Sequence, residues 1–221
     1  HTEAVANIKG RDEIMCLLLS LTSLYWLIKY HYTRKIAYMG GSVVMFFLAL
    51  LCKENAITFL AIIPLTFYFF TNAKTKENGI YTAIFIVITG IFWMIRTKIT
   101  GDYSKIEITE VLNNPFVYMT AMQKYATITY TLGKYLLLLL IPHPLTHDYY
   151  YNQIQTMNWS DWQVLLALFA NVALGVWAVL NIKKKSIPAF AILFYFITLS
   201  VVSNIVVPIG TFMSERFVYF S

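Results

Sequence analysis

Six apolar stretches alternate along the chain with short polar segments, and this alternation is its main structural signal. A helix needs about 20 residues to cross roughly 30 Å of hydrocarbon, and somewhat fewer when its polar ends reach the interface. Strand-like alternation is missing, and lipid cannot satisfy the backbone groups of an open strand. We therefore predict an all-α polytopic membrane protein, with spans at 12–29, 36–52, 56–70, 80–95, 162–180 and 187–207.

The composition supports a membrane protein. Hydrophobic residues make up 58% of the chain, charged residues only 13%, and the mean hydropathy is +0.61, which is too apolar for a soluble domain. The 16 Tyr, 16 Phe and 5 Trp suit the boundary between lipid and water. Cys16 and Cys52 lie within or at the end of apolar runs, which indicates neither a disulfide framework nor a thiolate metal site. Since the chain begins at His1 without an initiator methionine, we expect it to be an internal fragment.

The segment 114–141 has two interpretations. It ends in an apolar run with five consecutive leucines, but it also carries Gln123, Lys124, Lys134 and a row of threonines. It is either an amphipathic helix at the membrane interface, including a shallow re-entrant one, or a seventh crossing.

The distribution of Lys and Arg favours the interfacial helix. Without a crossing there, the short inside connections are 29–35, 71–79 and 181–186, which hold eight Lys or Arg and one acid, Glu77. With a crossing, the lysines at 183–185 move outside, and the loop that moves inside has no Lys or Arg. Cytoplasmic loops are enriched in Lys and Arg. We therefore predict six spans, both ends of the chain outside, and a long outer segment at 96–161 that contains the interfacial helix.

Four outer-facing clusters are candidates for a functional site. Two flank the early spans. Near the first span are Glu3 and Asp12, where Asp12 and its neighbour Glu13 also suit a helix N-terminus. Between the second and third spans are Lys53 and Glu54, ionisable groups in a hairpin so short that they are costly near the membrane.

The other two clusters lie later in the chain. His147, Asp148 and Tyr149 follow a proline-rich turn, where the tyrosines favour stacking on a sugar and the histidines with the aspartate could bind a metal. After the last span, Glu215 and Arg216 either pair with each other or place a guanidinium that can grip a phosphate.

These clusters carry a family resemblance. In order along the chain, HTEAV with GRDE, KENAIT, NNPF, LTHDYYYNQI and SERFVYFS resemble the membrane core of the transmembrane and tetratricopeptide-repeat-containing O-mannosyltransferases and their bacterial relatives. Those enzymes belong to the GT-C superfamily of glycosyltransferases. The resemblance implies a sugar such as mannose on a dolichyl or polyprenyl phosphate, transferred to a protein hydroxyl on the luminal or periplasmic side.

The resemblance also implies an inverting displacement. A carboxylate takes the proton of an acceptor Ser or Thr as it attacks the anomeric carbon, and cations stabilise the departing lipid phosphate. The family's principal catalytic acid would lie upstream of His1, so Glu3, Asp12 and Asp148 are weaker candidates for the base. We assign donor and phosphate binding to Lys53, Glu54, Arg96, Glu215 and Arg216, and substrate contact to His147, Asp148 and Tyr149. No cofactor is assigned, and a divalent metal stays open.

Other functions stay open on the sequence alone. A transporter would place ionisable residues near the middle of its spans, whereas here the charges collect at the outer rim. A lipid-carrier flippase or an enzyme like the O-antigen ligases would share that rim, and a structural assembly subunit would not need Lys53 and Glu54. A nucleic-acid partner is not expected despite the pI of about 9.2, because the basic residues are divided among membrane loops.

Overall fold

The computed structural model describes Val5 and residues 10–101, 114–141, 149, 153–205 and 209–220. These residues contain helices and turns and no strand. They form two compact units, one of the described residues up to Gly101 and one of those from Asn114 onward.

A helix lies at each of the predicted apolar stretches. The N-terminal unit contains α1 (Arg11–Thr33), α2 (Ile36–Cys52), α3 (Phe59–Phe70, preceded by a 3-10 turn at Glu54–Thr58) and α4 (Thr75–Thr100). The C-terminal unit contains α5 (Ala121–Leu140), α6 (Trp162–Asn181, extended by a 3-10 turn at Ile182–Lys184), α7 (Ile187–Ser200) and a 3-10 segment at Glu215–Phe220.

The N-terminal unit is an up-and-down arrangement of four helices in which α2 packs against both α1 and α4. Helix α1 ends because Arg34 adopts a left-handed conformation (φ 56°), and its N–H donates to the carbonyl of Tyr30. Helix α4 begins after Lys74, whose backbone N–H donates a hydrogen bond to the side chain of Glu77 in the first turn. The short turns bring alternate helix ends together. We call them the Lys53 end (the start of α1, the α2–α3 turn and the end of α4) and the Arg34 end (the α1–α2 and α3–α4 turns).

In the C-terminal unit, α6 packs against α5 and α7, and the 3-10 segment packs against α5 and α7. Its core is rich in aromatic rings and contains Tyr135, Tyr149, Ile154, Tyr195, Leu199, Val202, Met213, Phe217 and Val218. Helices α5 and α6 approach closely at Gly133, where an added Cβ would lie 2.5 Å from the Cβ of Ala167. A small residue there allows the two backbones to come together.

Three helices are long and apolar enough to cross a membrane, namely those at 11–33, 75–100 and 162–184. The helices at 36–52, 54–70 and 187–200 are apolar but shorter. Helix α5, within the predicted interfacial segment, does not meet the same criterion of length and hydropathy. The all-helical class is confirmed for the described residues, and three candidate spans are found where six were predicted.

Some helix bounds differ from the sequence prediction. Helix α4 extends five residues beyond the predicted 80–95 at each end, and α1 continues to Thr33 rather than residue 29. Helix α7 ends at Ser200, although the apolar run continues to residue 207. Asn204 has a left-handed conformation (φ 62°), accepts from the N–H of Ile209 and donates to the carbonyl of Thr211. This local network replaces further helical turns.

Candidate active site at the Lys53 end

A fully buried carboxylate lies at the Lys53 end of the N-terminal unit. Glu13 is on the first turns of α1, its side chain is 0% exposed, and Lys53 forms an ion pair with it. Asn55 is also buried and donates from Nδ2 to Oε2 of Glu13 over 3.3 Å. A buried charge is tolerated only when it is paired and hydrogen-bonded, so these two residues hold Glu13 in place.

The backbone at Lys53 is fixed by local contacts. Lys53 is extended (φ −160°, ψ 143°) between α2 and the 3-10 turn. Its carbonyl accepts the N–H of Ala56 at 3.2 Å and lies 3.4 Å from the thiol of the buried Cys16. The Lys53 ammonium is therefore presented from a defined turn rather than from a loose loop.

Asp12 is a second carboxylate on Lys53. Its Oδ2 lies 3.3 Å from Nζ of Lys53, and its side chain is 43% exposed, in contrast to that of Glu13. Lys53 thus lies between one buried and one accessible acid. The accessible acid can give way to an incoming anion at much lower cost than the buried one.

Glu54 and Arg96 form a separate ion pair at the same end. Glu54 begins the 3-10 turn and Arg96 is near the end of α4, and both side chains are partly exposed. The guanidinium of Arg96 also lies 5.5 Å from the ring centroid of Trp93. An exposed pair of this kind contributes little to stability, which leaves it available for ligand exchange.

A second group of predicted residues lies in the C-terminal unit. Glu215 is 6% exposed and accepts a hydrogen bond from the hydroxyl of Tyr149 at 3.1 Å. The N–H of Ser214 donates to the hydroxyl of Tyr135, also at 3.1 Å. Arg216 is half-buried, with its guanidinium 5.5 Å from the ring centroid of Phe217. Hydrogen bonds to Tyr149 and Tyr135 therefore fix the start of the 3-10 segment.

The structure brings together several residues that the sequence singled out. Lys53, Asp12, Glu54 and Arg96 share the Lys53 end, and Tyr149 meets Glu215. Glu3, His147 and Asp148 lie outside the described residues. Among the described residues, no group of three or more His, Cys, Asp or Glu side chains could hold a metal ion.

Glu13 is the functional candidate that the sequence analysis missed, because it was interpreted as a helix-terminus charge. The spacing of residues along α1 could have identified it. The buried positions of α1 include Glu13, Ser20, Leu24, Leu27 and His31, which recur at helical spacing. Continuing this helical spacing toward the start of α1 predicts that Glu13 is on the same buried face.

The Arg34 end has a different network. Arg34 forms an ion pair with Glu77 and donates to the hydroxyl of Tyr81 at 3.1 Å, and His31 lies 3.2 Å from the same hydroxyl. The hydrogen bond to Glu77 raises the pKa of Arg34 above its usual value. This network joins α1 to α4 by side chains that already have hydrogen-bond or ion-pair partners within the protein.

No family model matches the chain, and no curated protein and no solved structure is significantly similar to it.

Proposed function

We propose that this chain is the membrane core of a GT-C-type glycosyltransferase, which moves a mannose-like sugar from a polyprenyl or dolichyl phosphate to a Ser or Thr hydroxyl of a protein. In this proposal the chain crosses the membrane six times, and the Lys53 end faces the endoplasmic reticulum lumen or the periplasm. The order of the sequence motifs and the chemistry of that end support the proposal.

The observation that carries the proposal is the arrangement of charges around Lys53. Ionisable residues that are buried at the ends of membrane helices are costly and usually mark a functional site. Here a buried Glu13 fixes one side of Lys53, and the accessible Asp12 occupies the other. An ion pair that served only to stabilise the fold would need Glu13 but not Asp12.

The proposed binding step is an exchange of anions. The donor phosphate displaces Asp12 from Lys53 and Glu54 from Arg96, since those two carboxylates are the exposed members of their pairs. Glu13 stays in place and keeps Lys53 oriented toward the phosphate. The two released carboxylates can return when the lipid phosphate leaves.

The proposed transfer is a single displacement. The acceptor hydroxyl oxygen forms a bond to the anomeric carbon while the bond from that carbon to the phosphate oxygen breaks, and the electron pair passes to the phosphate. Lys53 and Arg96 stabilise the charge that develops there. The hydroxyl proton passes to a carboxylate base, which the family resemblance places upstream of His1.

A transfer assay with matched lysine variants tests the proposal. The protein is reconstituted with polyprenyl-phosphate mannose and a Ser/Thr-containing acceptor peptide, and mannosylated peptide is measured. We expect Lys53→Met to lower the rate per folded protein about 100-fold or more, as removal of one transition-state donor does. Lys98→Met is the control, because Lys98 is exposed near the same end and makes no ion pair with a described acid.

The assay has two results that contradict the proposal. Equal rates for Lys53→Met and Lys98→Met, with both proteins folded, would remove Lys53 from the site. Absence of transfer by the unaltered protein with any lipid-phosphate sugar, together with movement of the lipid carrier between leaflets, would identify a flippase instead.

A further inference from the structure

A groove between α3 and α4 lies toward the Arg34 end, away from the proposed active site. It has a volume of about 360 Å³ and is lined by Pro64 of α3 and by residues of α4: Thr75, Asn78, Gly79, Thr82, Ala83 and Ile86. The α4 residues recur at helical spacing, so they form one face of that helix. Neither the sugar transfer nor the ion pairs described above use this face.

The groove changes character along its length. Its polar residues Thr75 and Asn78 are at the start of α4, Thr82 follows with its hydroxyl donating to the backbone carbonyl of Asn78, and the apolar Ala83 and Ile86 lie beyond them. Helix α4 has 26 residues and is therefore about 39 Å long, which exceeds the roughly 30 Å of a hydrocarbon core. If α4 crosses the membrane along its apolar stretch, the polar part of the groove is at headgroup depth and the apolar part is at acyl-chain depth.

The headgroup end of the groove carries uncompensated positive charge. Lys74 and Lys76 are both exposed, and Lys76 precedes Gly79 by about one helical turn on the same face of α4. Glu77, the acid nearest to them in sequence, is paired with Arg34. Neither lysine forms an ion pair with any acid in the described parts of the chain.

Asn78 supplies a further polar feature. Its Nδ2 donates to the carbonyl of Pro64 at 3.0 Å, while its Oδ1 is buried and has no hydrogen-bond partner among the described residues. An unsatisfied buried acceptor costs free energy until a donor reaches it. A hydroxyl on a glycerol headgroup would be such a donor.

We propose that this groove binds an anionic phospholipid, with its phosphate at Lys74 and Lys76 and one acyl chain along Gly79, Ala83 and Ile86. The charge of the two lysines selects an anionic headgroup over a zwitterionic one. Because the polar part of the groove continues into an apolar part, the groove favours a lipid with a charged headgroup and an acyl chain over a soluble anion. This site is independent of the sugar transfer proposed above.

Retained lipid in nanodiscs tests the proposal. The full protein is reconstituted in equal parts of phosphatidylglycerol and phosphatidylcholine, and the lipids that stay bound after mild detergent extraction are counted by native mass spectrometry. We expect the unaltered protein to retain phosphatidylglycerol preferentially. Lys76→Gln should lower its retention about fivefold, the effect of one surface lysine.

Two glycine variants test the groove itself. An added Cβ at Gly79 or at Gly90 meets nothing within 4 Å and both glycines are exposed, so Gly79→Leu and Gly90→Leu each start from a position without a Cβ clash. Gly79 lines the groove and Gly90 does not. Gly79→Leu should therefore lower retention of phosphatidylglycerol, whereas Gly90→Leu should leave it unchanged.

Three results would overturn the proposal. Equal retention of the two lipids by the unaltered protein would remove the charge selectivity. An equal loss in Lys76→Gln and Lys35→Gln would show a diffuse basic surface, since Lys35 is exposed at the same end but lies in the α1–α2 turn, whereas Lys76 is on α4 one turn from Gly79. A change in oligomeric state with Gly79→Leu at unchanged lipid retention would identify a protein partner in the groove.

Discussion

Ser23 and Ser42 bind each other reciprocally, each hydroxyl donating to the other residue's backbone carbonyl at 2.7 Å. Both residues are buried in the contact between α1 and α2. The helices are antiparallel, so this pair sets their register. Glu13 lies ten residues before Ser23 and Lys53 lies eleven after Ser42, and the same register therefore brings Glu13 to Lys53.

Adjacent glycines of α2 provide a test of this helix contact. A Cβ at Gly41 would lie 2.2 Å from ring carbons of Trp26, whereas a Cβ at Gly40 would meet nothing within 4 Å. We expect Gly41→Ala to lower the free energy of unfolding by about 1–3 kcal/mol, the usual cost of overpacking. Thermal unfolding in detergent measures it. Gly40→Ala should be neutral or slightly stabilising, and an equal effect of the two changes would disprove the close contact.

The buried ion pair predicts a strongly non-additive mutant cycle. Lys53→Met leaves Glu13 buried without its cation, which should destabilise the protein by about 3–5 kcal/mol. In the double variant Glu13→Leu with Lys53→Met, most of that loss should be recovered, because no unpaired charge remains. Thermal unfolding of the four proteins gives the coupling energy. Additive losses would mean that the two side chains do not interact.

The sequence predicts the helices well because the apolar runs are long and are separated by clear polar turns. It also places Lys53, Glu54 and Arg96 at one end, since each short turn reverses the chain and alternate helix ends must meet. The partners within that end could not be predicted. Whether Lys53 contacts Glu13 or Glu54 depends on helix rotation and register, which the Ser23 and Ser42 contact fixes.

The end of α7 shows a second reason for differences between prediction and structure. Hydropathy measures polarity, and the residues after Ser200 are still mostly apolar. The backbone there follows hydrogen bonds of the Asn204 side chain instead. Ser200, Ser203 and Asn204 all form side-chain hydrogen bonds to the backbone here, so a few polar residues in an apolar run can accompany the end of a helix with little change in average hydropathy.

The close approach of α5 and α6 predicts a size limit at Gly133. Gly133→Ala would place its Cβ 2.5 Å from that of Ala167, so we expect a loss of about 1–3 kcal/mol in the free energy of unfolding. Adding Ala167→Gly should recover part of this loss. Gly175→Ala is the control, since its Cβ would have an ordinary contact of 3.8 Å with Phe196. The absence of any rescue would argue against this packing.

The assignment of Arg216 to donor binding, made from the sequence, predicts that its guanidinium matters for turnover beyond its charge. Lysine keeps the charge but loses the planar fork that binds a phosphate through two parallel hydrogen bonds. Arg216→Lys in the full-length protein should therefore lower sugar transfer about 10-fold or more while the protein still folds. Normal transfer by that variant would remove Arg216 from donor binding.

Sidedness tests the central claim most directly, because the proposed site requires the Lys53 end to face away from the cytoplasm. Single cysteines at Lys98 and Lys35, placed near the Lys53 end and at the Arg34 end in a protein without Cys16 and Cys52, can be labelled with a membrane-impermeant maleimide in intact and opened vesicles. We predict that Lys98→Cys reacts only from the luminal or periplasmic side and Lys35→Cys only from the cytoplasmic side. Reaction of both from one side, or from the reversed sides, would contradict the account.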